Sequence, residues 1–298
     1  MNKRTLLSII VPAYQYAEGI KRIFTQLYPL PENCELIIFD DSPGDEVEKE
    51  VLHLRAATGM HVIYEHHKTA LGAASNWNAL LDAAHGEFCL LLHHDEFPLG
   101  ANFLENLLKI LRLYPDSDIF LLDCIIVDPQ SCRNHQHLPM WIRGLVTNRF
   151  PGYLFRRNVI GPTSVLVIRR LLYPKFDVRL QWFIDVDMYV RLLKATNRVK
   201  ACPEIKIGSL SNRSGTITKR LGSSIPKIAR KERAYLMPIH GYDNLWLGPM
   251  PNRHIITRFL YIAEVFFWGL LRIWTRLTAY IHPDPVPRAL VKEIMKGL

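Results

Sequence analysis

Short uninterrupted apolar runs alternate with stretches whose apolar positions recur every three or four residues, and this alternation fills the first half of the 298-residue chain. Leu6-Leu7-Ser8-Ile9-Ile10-Val11 is rich in β-branched residues and is closed by Pro12-Ala13-Tyr14, which predicts a first strand. Ile20, Ile23, Phe24 and Leu27 share one helical face across residues 18–27, and Pro29 and Pro31 end that helix. Residues 35–39 and 61–64 predict a second and a third strand; residues 46–57 and 73–84 predict the helices that follow them, the latter with Trp77, Leu80 and Leu81 turned inward. No polar residue interrupts 88–92, as in a strand covered on both faces. A helix over 103–113 and one or two strands within 118–127 come next. The order β-α-β-α-β-α-β implies a largely parallel sheet with right-handed crossovers, a Rossmann-like nucleotide-binding half.

Beyond this the pattern weakens. Residues 128–153, with His135, His137 and Pro139-Met140-Trp141, predict an irregular excursion over the surface. Order returns at Ile160-Gly161-Pro162-Thr163-Ser164 and the apolar run 165–168. Ile184, Met188, Tyr189, Leu192 and Leu193 then mark a helix with Asp185 in its first turn, where the helix dipole favours a carboxylate. Near the C-terminus Phe259, Ile262, Phe266, Leu270, Ile273 and Leu277 form one face of a helix that carries Arg258, Arg272 and Arg276 on the other.

Composition sharpens the picture in three places. The formal charge of +9 calls for an anionic partner, and Lys219-Arg220, Lys227, Arg230-Lys231 and Arg233 concentrate part of it in a belt. No recognition motif or stacking platform accompanies the charge, so nucleic acid is not the expected partner. Five scattered cysteines lack CxxC spacing and suggest neither a zinc site nor a disulfide framework. The short apolar run after Met1 lacks the length and cleavage site of a signal peptide, so a cytoplasmic protein is expected.

Candidate chemistry gathers where predicted strands end, the place where such sheets bind ligands. Asp40-Asp41 follow the second strand, and Tyr14, after the first, offers a ring to a base. His93-His94-Asp95-Glu96 follow the fourth; Asp95 and Glu96 are hard oxygen ligands suited to Mg2+ or Mn2+, which would in turn hold a diphosphate. A solvated loop after a core strand is the plainer alternative for this acidic pair.

Ser8-Ile9-Ile10-Val11-Pro12-Ala13-Tyr14, Phe39-Asp40-Asp41-Ser42, Asn76 leading to His85-Gly86-Glu87-Phe88, and the acidic cluster at Asp95 together resemble family 2 glycosyltransferases of GT-A fold, of the kind that builds bacterial polysaccharides and lipid-linked glycans. The resemblance spans roughly residues 6–215. It implies an α/β fold: a GT-A domain over 1–218 with a mostly parallel central sheet flanked by helices, followed by a basic, amphipathic helical extension over 219–298. It also implies transfer of a sugar from a nucleotide-sugar donor to a hydroxyl of a glycan or polyprenyl-linked saccharide, with inversion.

By position, Pro12, Tyr14, Asp40, Asp41, His93, His94 and Asp95 are then the donor site. The family's DxD motif falls on His93-His94-Asp95, with histidine in place of the first acid; Asp95 is the metal ligand and Glu96 the alternative. Asp185 matches the catalytic base, although Ile184 replaces the partner acid. Gly161 and Thr163, in a segment that reads equally as a plain turn, and Asp187 fall to the acceptor. Asn212 and Arg213 stand where the family often places a metal-binding histidine. Two alternatives remain open: an inactive binding module for an anionic partner, with His93 and Ile184 as its signs, and, for residues 258–277, either peripheral membrane contact or packing on the catalytic domain.

Overall fold

The structure, a computed structural model, describes residues 4–128, 133–211 and 217–241, and further on 264, 266–271 and 273. The predicted alternation is present: β1 Leu7–Ala13, α1 Ala17–Leu27, β2 Cys34–Asp40, α2 Glu46–Thr58, β3 Ile63–His66, α3 Ala73–Ala83 and β4 Phe88–Leu91. Next come β5 Glu96–Leu99, α4 Phe103–Leu113, β6 Ile119–Asp128, β7 Arg133–Gln136, α5 Met140–Arg149, β8 Leu166–Arg169, α6 Ile184–Ala195 and β9 Val199–Leu210. Helices α7 Ile217–Leu221 and α8 Ile225–His240 follow.

One sheet joins the strands in the order β3-β2-β1-β4-β8-β6-β9-β5, with β7 paired to β6 outside that path. The directions of the pairings make β1, β2, β3, β4, β6 and β9 run one way, with β5, β7 and β8 against them. The sheet is therefore mostly parallel, as the sequence led one to expect. Register brings the functional ends level: Ala13 stands beside Asp40, and Ile10 beside Leu91.

The core lies between this sheet and its helices. Every residue of β1 and β4 is buried, which is why β4 reads as an unbroken apolar run and β1 as one interrupted only by Ser8 before its closing Pro12-Ala13. Helix α1 turns Ile20, Ile23, Phe24 and Leu27 inward, and burying each such side chain stabilises the fold by about 1.5–3 kcal/mol.

Three expectations need correction. The third strand lies at 63–66 and not 61–64; it is an edge strand held by β2 alone, and its exposed and half-buried residues blur the apolar run that locates an inner strand. The segment after β4 is not a loop throughout, because Glu96–Leu99 pairs antiparallel with β9. Pro98 is tolerated there because β5 ends the sheet and has no neighbour on its outer side. The excursion over 128–153 contains β7 and α5. Helix α5 buries Ile142, Arg143, Val146 and Thr147, half of them polar, so no apolar stripe announces it.

Helix α8 packs on α6 and the loop before it through Glu232, Leu236 and His240, all buried, while Lys227, Arg230 and Lys231 of the basic belt face solvent. Of the C-terminal amphipathic pattern, Glu264, Phe266–Leu271 and Ile273 are described and helical; Arg258, Phe259, Ile262, Arg272, Arg276 and Leu277 lie outside the described residues, as do Asn212 and Arg213. No helix among the described residues is long and apolar enough to cross a membrane. The described cysteines are free, and burial pushes the Cys34, Cys89, Cys124 and Cys202 thiols up to about 12, which leaves them protonated and inert.

Candidate active site

Three strand ends build one side of the site. At the end of β1, Pro12 is buried and Tyr14 projects its ring with 38% exposed. At the end of β2, Asp40 and Asp41 are buried and fully engaged with protein donors. Asp40 Oδ1 accepts the Ser42 amide at 2.9 Å and Oδ2 the Tyr64 hydroxyl at 3.0 Å. Asp41 Oδ1 meets His67 Nδ1 at 2.8 Å, and Oδ2 accepts the Gly72 amide at 2.9 Å. Both carboxylates thus shape the wall beyond β2, and His67 and Gly72 belong to it although no local pattern marked them.

Beyond β4 the chain turns sharply. His94 lies with Nδ1 3.1 Å from the Pro12 carbonyl and its ring 5.8 Å from Tyr16. A Cβ on Gly19 would collide with the His94 carbonyl, so only glycine lets α1 approach this turn. His93, Asp95 and Glu96 place one ligand atom each within 4.8 Å of one another. Glu96 Oε2 accepts the His93 amide at 3.1 Å and faces its Nδ1 at 3.3 Å, while His93 Nε2 is buried with no hydrogen-bond partner. Burial works to lower the His93 pKa, but the charges of Glu96, Asp95 and Asp185 outweigh it and the net shift is upward. An imidazole, two carboxylates and an orphaned ring nitrogen fit a small divalent cation.

The opposite side comes from α6 and the loop before it. Asp185 is half-buried in the first turn of α6. Removal from water raises its pKa to about 6, against the lowering effect of the Val186 amide at 2.8 Å, the positive charge of His93 and the Asn158 side-chain amide at 2.9 Å. Asn158 also accepts the amides of Ile160 and Gly161, both at 3.1 Å, which orders the turn that carries Gly161 at φ +105°. Thr163 is buried, with its hydroxyl unpartnered, on the wall of the same cavity. Asp187 is directed elsewhere: Oδ2 meets Arg191 Nη2 at 2.6 Å and Oδ1 meets His240 Nε2 at 2.8 Å, so it ties α6 to α8.

A cavity of about 420 Å3 has His93, Trp77 and Asp185 on its wall together with Asn158, Thr163, Trp182, Arg156 and Arg233. Trp77 also supports His93, its ring 4.8 Å away. Asn158, Trp77 and Trp182 carried no signal of their own in the sequence.

Carboxylates at the ends of parallel strands, a metal-competent cluster and a carboxyl raised to about 6 fit a nucleotide-sugar-dependent transferase. The family described as glycosyl transferase family 2 matches residues 8–170, more than half the chain, and the chain belongs to that family. Solved structures agree on the GT-A fold. A mannosyltransferase from Pyrobaculum calidifontis, solved with GDP-Man and Mn2+, is 16% identical with a TM-score of 0.60, over 99% of this chain and 88% of its own. Residues 1–349 of S. aureus TarS, solved with UDP-GlcNAc, are 14% identical with a TM-score of 0.58, over 81% of this chain and 70% of theirs. Among curated proteins none matches by sequence.

Proposed function

We propose that this chain moves a sugar from a nucleotide-sugar donor to a hydroxyl of a glycan or lipid-linked saccharide, with inversion at the anomeric carbon, and that Asp185 is the base. The observation that carries this reading is the Asp185 carboxyl, raised to about 6 on the wall of a cavity shared with His93 of the metal-competent cluster. A base with that pKa is ionised at neutral pH yet basic enough to take a proton from a hydroxyl as it attacks. Asn158 and the Val186 amide fix its orientation, and Gly161 and Thr163, in the turn that Asn158 orders, are the residues proposed to shape the acceptor side.

On the donor side, His93, Asp95 and Glu96 would hold a divalent cation, which when bound neutralises charge on the departing diphosphate. The family and the Mn2+-bound mannosyltransferase support that metal, and the nucleotide sugars in both neighbours support the donor class. Tyr14, exposed after β1, would stack on the base, with Asp40 and Asp41 holding the wall beyond β2.

The chain is further proposed to work at the cytoplasmic face of a membrane, its catalytic domain ending near residue 218. Trp268 and Leu271 of the C-terminal helix pack inward, whereas Phe266, Phe267, Leu270 and Ile273 are between 44% and 67% exposed on its outer side. An aromatic-rich face beside a solvated basic belt suits anionic headgroups.

Calorimetric titration with UDP and GDP, with and without Mn2+, tests the enzyme reading. Metal-dependent binding of one of them is expected, and no binding of either would remove it. Flotation on anionic vesicles tests the membrane reading, and a full-length protein that stays at the bottom of the gradient ends it.

A further inference from the structure

Two arginines, Arg156 and Arg233, line the cavity that also carries His93 and Asp185 on its wall. Of these two arginines, Arg156 is neutralised: its Nε reaches both oxygens of Glu264 at 2.8 and 2.6 Å, and its Nη2 lies 2.6 Å from Glu264 Oε2. Arg233 is placed differently. Its Nη2 donates to the Phe155 carbonyl at 3.2 Å and its guanidinium lies 5.2 Å over the Phe183 ring, but its Nε is buried with no hydrogen-bond partner. No carboxylate pairs with it among the described residues.

Arg233 is half-buried, and a guanidinium partly withdrawn from water on a cavity wall without a counter-charge gains when a ligand brings the missing charge. The geometry of guanidinium suits oxyanions, which it meets through two parallel N–H groups. The donor's diphosphate is already provided for by the cluster of His93, Asp95 and Glu96.

We infer that the acceptor carries an oxyanionic group, a phosphate or a carboxylate, and that Arg233 binds it while the reacting hydroxyl lies at Asp185. This rests on the transferase reading and narrows its acceptor to an acidic saccharide or a sugar phosphate. Trp182, on the same wall, offers the sugar ring an apolar face.

The test uses the full chain saturated with Mn2+ and whichever of UDP or GDP it binds, so that the donor site is filled. Calorimetry at fixed ionic strength then compares methyl glucoside, glucuronate and glucose 1-phosphate. At least one anionic sugar should bind about tenfold or more tighter than the neutral one. Tighter glucuronate assigns the charge to a carboxylate, and tighter glucose 1-phosphate to a phosphate. Arg233→Gln should abolish the preference and leave nucleotide affinity unchanged, while Arg233→Lys, which keeps the charge, should retain part of it.

Equal binding of all three sugars by the wild type overturns the inference, as does a preference that survives in Arg233→Gln. A loss of nucleotide affinity in folded Arg233→Gln would move the guanidinium to the donor and equally overturn it. Failure of the wild type to bind either nucleotide would instead strike the transferase reading itself.

Discussion

Asn158 donates from Nδ2 to Asp185 Oδ2 at 2.9 Å, and the same nitrogen reaches the Gly161 carbonyl at 3.0 Å, so one side chain joins the carboxyl of α6 to the turn across the cavity. A hydrogen bond to the charged form of an acid lowers its pKa. Asn158→Ala should therefore raise the pKa of Asp185 above about 6, and the rise of activity with pH should move to higher pH by about one unit, the equivalent of one such bond. A pH profile of kcat/KM measures it. An unmoved acid limb would show that the bond does not reach the working form of the base.

Asp185→Asn removes the proton acceptor and little else. Turnover should fall by about 10²-fold or more, while metal-dependent binding of the nucleoside diphosphate stays near wild type. An equal loss of nucleotide affinity would place Asp185 in the donor site and leave the base elsewhere. The same variant tests the pKa through stability. A carboxyl raised from 3.8 to about 6 on folding favours its protonated form, so its contribution to stability is fully present below 3.8 and is lost as pH rises through about 6. Thermal melts between pH 4 and 7 should therefore fall more with rising pH for wild type than for Asp185→Asn.

Asp95→Ala should abolish metal-dependent nucleotide binding and leave the protein folded. Asp95 is half-buried in the turn between β4 and β5, outside the apolar core, and its carboxylate is one of the three ligand groups that converge there. Unchanged calorimetric affinity for the Mn2+–nucleotide complex would shift the ligand role to Glu96 and His93.

What the sequence disclosed and what it hid divide along physical lines. Strands β1, β2 and β4 were legible because burial on both faces demands unbroken apolar runs, and Asp40, Asp41 and Asp95 because polar groups directly after such runs stand at strand ends. The place of Asp185 in a first helical turn was legible from the apolar period of α6, whereas its proposed role rests on the family resemblance. Asn158 was not legible, since it acts on a residue 27 positions away and lies in a segment with no period of its own. Asp187 and Asp185 look alike in sequence, yet a two-residue step rotates a helical side chain by roughly 200°, so one carboxyl faces the cavity and the other Arg191 and His240. Helix α8 read as a basic belt because Lys227, Arg230, Lys231 and Arg233 crowd together along it; the inward turn of Glu232 depends on a loop about fifty residues earlier and has no local signal.

Glu232 carries the last prediction. Its carboxylate, buried in α8, accepts the backbone amides of Gln181 at 2.6 Å, Trp182 at 3.1 Å and Phe183 at 2.9 Å, the three residues that lead into α6. Phe183 occupies the N-cap position and has no side-chain cap of its own, so a residue about fifty positions later does that work. The negative charge also suits the positive end of the α6 dipole. Glu232→Ala would leave amides without acceptors at a helix start, at a cost of about 1–3 kcal/mol for each one that stays out of water, and would loosen Trp182 and Asp185 together. The expected result is a lower melting temperature and a kcat reduced more than nucleotide affinity, because the cluster of His93, Asp95 and Glu96 stands on other elements. Glu232→Gln keeps one oxygen to accept but turns an N–H2 towards the remaining amides, so it should recover only part of the kcat. A variant that melts early yet keeps wild-type kcat at low temperature would confine Glu232 to stability and free the base from dependence on α8.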